Sequence, residues 1–304
     1  MRKLLLGICG LALGIHVAQA GQTESPFTIL VGEPSWLAES QSIAKALDHE
    51  NALRVLPIIS TGSLAALQDM EQFSLINAVM VTTDAAAYVR AQNIGAPEGE
   101  HLTYITAIKP LPILLVARKG INNVTGLAGK KIATGPADSA SFAAGELLLG
   151  GMEVPFLRVP AAQEKAIDAL AQGKADAALV VGTPANLERL GAANFRLLPM
   201  VLPPQLQGTY QPLKLTAREA PGLLNASQQV DGVSTELVLA VDDRSTKPDQ
   251  VKLLKAFESE LFSQLQAAPT SPLHDEVAGW QREATAAAII KSLPATIIPT
   301  GATP

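Results

Sequence analysis

The chain has 304 residues, 48% of them hydrophobic, 17% charged and 4% aromatic, with 23 Lys and Arg against 28 Asp and Glu for a formal net charge of −5. That balance excludes a disordered or collagen-like chain, and an acidic sequence with a pI near 5.5 and no local Lys/Arg cluster offers no electrostatic footprint for nucleic acid. A length of this order predicts two domains, each able to bury its own core.

Arg2 and Lys3 precede an apolar stretch over residues 4–17 that ends in Ala18-Gln19-Ala20, the small-x-small pattern that signal peptidases cut. The expectation is a signal peptide over residues 1–20, cleaved after Ala20, and a periplasmic protein; an uncleaved anchor is the alternative. Removing 20 of the 304 residues leaves 284, and losing Arg2 and Lys3 moves the charge from −5 to −7. The one cysteine, Cys9, falls inside the leader, and Ile8 stands before it where a lipoprotein site wants a small residue. The mature chain is therefore expected to have no disulfide, thiolate nucleophile or cysteine metal ligand. Residues 113–117 and 237–241 are apolar but of strand length, too short to cross a bilayer.

From residue 27 the pattern alternates. Residues 27–31 read as a strand that stops at Gly32-Glu33-Pro34-Ser35, and Trp36, Ile43 and Leu47 then fall on a helical period. Residues 53–59 form a second strand, ending at Ser60-Thr61-Gly62-Ser63 before a helix over 64–70. Residues 75–81 form a third, closed by Thr82-Thr83-Asp84 and a helix through Val89. After a β-rich passage over 102–118 the same grammar restarts: strand 131–134, the turn Gly135-Pro136-Ala137-Asp138-Ser139, and helix 140–149. A helix over 164–172 capped by Gly173 leads to strand 177–181, which ends at Gly182-Thr183-Pro184. The apolar run 233–241 is suited to pair with 113–117. Beyond it Pro248 opens a long helix with Val251, Leu254, Phe257, Leu261 and Leu265 on one stripe, and a helical piece around 280–290 precedes a Pro- and Thr-rich tail. The fold expected is α/β in two related lobes, each a mostly parallel sheet flanked by helices, with two hinge crossings. Lobe 1 is assigned residues 27–111 plus 234–304, and lobe 2 residues 112–233.

Motifs for chemistry fail one by one. His49, His101 and His274 have no zinc spacing. Ser139 lacks the glycines of a nucleophile elbow, since Ala137 and Ser141 occupy those places. Gly129-Lys130-Lys131 is not a phosphate loop, because Val124 replaces the first glycine and Lys131 the Ser/Thr. The reading is a non-enzyme with no cofactor and no metal.

What remains are five small-polar turns between a strand and a helix: Pro34-Ser35, Thr61-Gly62-Ser63, Thr82-Thr83-Asp84, Ala137-Asp138-Ser139 and Gly182-Thr183. In open α/β sheets ligands sit outside the carboxyl ends of the strands, and helix N-termini there favour an organic anion. Each turn is equally what a helix N-cap requires. The candidate contacts are Ser35, Thr61, Gly62, Ser63, Thr83, Asp138, Ser139, Gly182 and Thr183, with Tyr210 as an apolar wall. Arg118, Lys109 and Arg158 are the cations that could reach such a cleft.

Leu127-Ala128-Gly129-Lys130-Lys131-Ile132-Ala133 followed by Gly135-Pro136, and Ala169-Leu170-x-x-Gly173-x-x-Asp176-Ala177, resemble type II periplasmic solute-binding proteins. Thr61-Gly62-Ser63, Val116-Ala117-Arg118-Lys119, Gly135-Pro136-x-x-Ser139 and Gly182-Thr183-Pro184 make the nearest resemblance the TAXI branch of TRAP-transporter solute receptors. The resemblance implies a Venus-flytrap fold that closes on an acidic amino acid or dicarboxylate and delivers it to TRAP-type permease subunits in the membrane. It departs from the pattern at Asp138 and Ala140, where glycines are usual, and at Ala66, where Asn is common. An ABC-importer receptor and a sensor or assembly protein of the same fold are the competing readings.

Overall fold

The computed structural model describes residues 26–48, 53–92, 101–244, 247–266 and 276–292. The expected leader, His49, His274 and the tail after residue 293 lie outside them. Among the described residues no helix is long and apolar enough to cross a membrane.

The first half of the pattern becomes β1 (Phe27–Val31), a 3-10 turn (Pro34–Trp36), α1 (Leu37–Leu47), β2 (Val55–Ile59), α2 (Ser63–Gln72), β3 (Ala78–Thr82) and α3 (Thr83–Gln92). Every residue of β1 and β3 is buried, as expected of strands covered by helices on both faces. The strand β4 (Leu102–Arg118) follows as one unbroken 17-residue element. The second half repeats the grammar with β5 (Lys131–Ala133), α4 (Ala140–Gly151), β6 (Leu157–Val159), α5 (Gln163–Ala171) and β7 (Ala177–Val181). Then come β8 (Phe195–Leu197), β9 (Gln211–Leu215), β10 (Val230–Asp242), α6 (Pro248–Gln266) and α7 (Ala284–Ser292). Gly173 has φ +76°, the left-handed cap read from the sequence.

Strand order is β2-β1-β3-β10-β4-β7-β5-β6, with β8 on β4 and β9 on β10. The parallel triplets β2-β1-β3 and β6-β5-β7 sit at the two ends of the sheet, and the halves built around them are named lobe 1 and lobe 2. Between them the antiparallel pair β4 and β10 runs from lobe to lobe. The anticipated pairing is there, with Val233 opposite Ile113. Instead of two separate sheets the chain therefore carries one continuous ten-stranded sheet. Its cause is strand length, because β10 pairs with β9 through Val230–Ser234 and is long enough to reach β3 through Leu237–Ala240.

Two local expectations change. Thr82-Thr83-Asp84 is no turn, since β3 ends at Thr82 and α3 starts at Thr83. Trp280 precedes the last helix rather than lying within it. On the far side of lobe 1, α6 is anchored by Phe257, whose ring stacks on Phe27 of β1 at 3.8 Å and 4°.

Candidate functional site

The carboxyl ends of β1, β2 and β5 bring three loops to the seam between the lobes. From lobe 1, Gly62 and Ser63 open α2; from lobe 2, Asp138, Ser139 and Ala140 open α4. Ser139 is the N-cap of α4, its Oγ accepting from the Phe142 amide at 3.2 Å and donating to the Pro136 carbonyl at 2.8 Å. The lobes touch through backbone here, because the Leu64 amide donates to the Asp138 carbonyl at 2.8 Å. Only a glycine fits at 62: a Cβ there would lie 2.2 Å from that carbonyl oxygen.

Glu33, in the loop after β1, fills the space between the two helix starts. Its side chain is buried, and Oε1 accepts from the Ala140 amide at 2.7 Å across the seam and from the Ser63 hydroxyl at 3.4 Å within lobe 1. Burial pushes its carboxyl up to about 7, although the Ala140 and Ser63 hydrogen bonds pull it down; the Asp138 charge pushes it further up. Amide groups at a helix start, aligned with the helix dipole, are a fitting environment for a carboxylate.

A second polar cluster lies at the hinge. Asp84, fully buried at the start of α3, accepts at Oδ1 from the Thr235 hydroxyl of β10 at 3.0 Å and from the Ala85 amide at 2.9 Å. Its Oδ2 accepts from the Tyr210 hydroxyl of lobe 2 at 3.1 Å. Thr83 Oγ1 lies 3.0 Å from Thr235 Oγ1 and accepts from the Glu236 amide at 3.3 Å. Burial raises the Asp84 carboxyl, and burial together with the Asp84 charge holds the Tyr210 phenol well above its ordinary value.

The sequence-derived residues therefore divide. Gly62, Ser63, Asp138 and Ser139 meet at the seam. Thr83 joins the hinge cluster, and Tyr210 joins it as a hydrogen-bond donor instead of an apolar wall. Ser35 and Thr61 are exposed beside the seam. Gly182 holds the strand end, its amide donating to the Pro112 carbonyl at 2.7 Å, while exposed Thr183 donates to the Glu219 carbonyl at 3.0 Å within lobe 2. The proposed cations are engaged elsewhere. Lys109 pairs with Glu39; Arg158 pairs with Glu146 and lies 4.0 Å over the Phe142 ring; Arg118 donates to the Leu170 carbonyl at 2.9 Å.

Glu33 and Asp84 are what the sequence reading passed over. Three strand-to-helix junctions carry an acid, Glu33, Asp84 and Asp138, and of these three the candidate contacts included Asp138 alone. Among the described residues no group of three or more His, Cys, Asp or Glu side chains could hold a metal. Away from the seam a groove of about 640 Å³ runs beside Tyr210 between Met200, Leu202, Pro212 and Lys214.

No protein-family model matches the chain. No curated protein matches it either. Solved structures do. The ligand-binding component of an ABC-type import system from Staphylococcus aureus, solved with zinc bound, superposes with a TM-score of 0.50 at 10% identity, over 82% of this chain and 77% of that one. The chain shares the two-lobed α/β fold of that structure. YhfZ from Shigella flexneri gives 0.49 at 15% identity over 82% and 93% of the two chains. The alkanesulfonate-binding protein of Xanthomonas axonopodis pv. citri, bound to MOPS, gives 0.47 at 15% identity over 90% and 81%.

Proposed function

We propose that this chain is a periplasmic receptor for a small organic acid, of the acidic amino acid or dicarboxylate class, which it hands to a TRAP-type permease. One observation carries the reading. The starts of α2 and α4, on opposite lobes, converge on a single carboxylate oxygen, Glu33 Oε1. Two helix N-termini brought together by lobe closure are what a solute carboxylate needs in order to favour the closed state over the open one.

The test is a thermal-shift screen of the purified protein against acidic amino acids, dicarboxylates, keto acids, amines and sugars. A solute held at 100 times its Kd stabilises the folded form by about 2.7 kcal/mol, which at about 2–4 °C per kcal/mol raises the melting temperature by roughly 5–10 °C. Stabilisation by acids alone supports the proposal; stabilisation by amines or sugars alone overturns the acid class while keeping a receptor.

A second reading, an assembly or sensing module that no longer transports, is favoured by the packing of the seam. Tyr88 of α3 meets Phe142 of α4 edge-on at 5.6 Å and 88°, and Ala85, Ala86 and Ala143 share one apolar cluster. A broad solute library without a hit on the folded protein would favour that reading.

A further inference from the structure

The closed seam is already charged from within. Glu33 is 5% exposed and accepts from both lobes at one oxygen. Its backbone has little freedom to retreat, because Gly32 packs so tightly that a Cβ would stand 2.8 Å from Ser63 Oγ and 2.9 Å from the Met80 carbonyl oxygen. At Gly62 and Asp138 the two main chains are in direct contact, so a solute cannot be inserted there with the lobes as they stand. A second carboxylate beside Glu33 would crowd three acidic groups, Glu33 and Asp138 among them, into one buried seam. Lys109, Arg158 and Arg118, the cations proposed for the cleft, are engaged elsewhere. Like charges repel most strongly where water is excluded.

We infer that Glu33 is a built-in occupant of the seam's anion position, which draws the two lobes together from within the chain, and that an organic acid binds by exchanging its own carboxylate for that of Glu33. Substrate choice follows from the exchange. The group that replaces Glu33 is a carboxylate presented to the Ala140 amide and the Ser63 hydroxyl, and the rest of the solute lies where the Glu33 side chain runs now. The inference rests on the acid-receptor reading above, yet self-closure can stand or fall by itself.

The experiment uses the full chain as wild type, Glu33→Ala and Glu33→Gln, with cooperative melting as the check that each folds. Acetate, the two-carbon stand-in for the missing side chain, is exchanged for chloride at equal ionic strength while small-angle X-ray scattering reads the lobe separation. Glu33→Ala is expected to be more extended than wild type in chloride and to return to the wild-type dimensions in acetate, with wild type indifferent to the anion. A Glu33→Ala protein as compact as wild type in chloride, or extended and unmoved by acetate, overturns self-closure. If Glu33→Ala does not fold, Glu33→Gln, which keeps the shape and removes the charge, decides by calorimetry with glutamate and succinate. Binding to the Gln variant about tenfold or more tighter than to wild type supports exchange. Equal binding to both overturns exchange and leaves the acid receptor intact. Closure by acetate without affinity for either acid supports self-closure and counts against the acid-receptor reading.

Discussion

The Tyr210 hydroxyl donates to Asp84 Oδ2 at 3.1 Å, joining the segment before β9 in lobe 2 to the start of α3 in lobe 1 with both groups buried. Thr235 of the shared strand β10 serves the other carboxylate oxygen at 3.0 Å, so one acid ties both lobes to the hinge. Tyr210→Phe leaves that oxygen buried without its donor, a loss of about 1–3 kcal/mol. Urea denaturation of Tyr210→Phe, Asp84→Asn and the double variant should show the two single losses to be non-additive, because the residues share one bond. Additive losses would mean that the bond contributes nothing.

Stability should fall as the pH rises. The Glu33 carboxyl is raised from 4.5 to about 7, so the folded state binds the proton more tightly than the unfolded chain. Its contribution is fully present below pH 4.5 and is lost as the pH climbs to about 7, a change of up to roughly 3 kcal/mol. Glu258, fully buried on α6 and raised by burial and by its neighbour Glu283 to about 9, acts in the same direction over a wider window. The Glu33→Gln variant removes the first effect and keeps the second. Chemical denaturation from pH 4 to 8 should therefore show a flatter profile for the variant, and parallel profiles would place Glu33 outside the titration.

Gly62→Ala tests the seam by crowding it. The backbone at Gly62 has φ 177°, which alanine adopts freely, so any effect comes from the Cβ that would lie 2.2 Å from the Asp138 carbonyl oxygen. The variant should fold but stay open. Hydrogen exchange at the Leu64 amide, which bonds that carbonyl, should rise while protection in β1 and β3 is unchanged; unaltered exchange at Leu64 would refute the contact.

Phe257→Ala removes the ring stacked on Phe27 and leaves a cavity between α6 and β1. A loss of about 3–5 kcal/mol is expected for a buried aromatic of this kind, visible as a lowered denaturation midpoint. A loss below 1 kcal/mol would mean that α6 is held chiefly by its other contacts.

Much of this protein was legible in one dimension. The apolar runs that become β1, β3 and β7, the glycine that caps α5 and the strand-turn-helix order depend on local pattern: a strand buried on both faces reads as a continuous apolar run, and a left-handed cap reads as glycine. The turns at Gly62-Ser63 and Asp138-Ser139 could be flagged for the same reason, since helix starts advertise themselves by their N-caps.

The tertiary structure alone decided what those turns face. Glu33 lies 30 residues from Ser63 and 107 from Ala140, and Asp84 lies 126 from Tyr210, separations at which no sequence periodicity operates. Whether a helix start is met by a solute or by a carboxylate of the same chain depends on which loop ends are brought within about 3 Å of one another. It was the long pair β4 and β10, by joining the two parallel triplets into one sheet, that set this distance. The chemistry of each turn was written locally; its partner was chosen by the packing of the lobes.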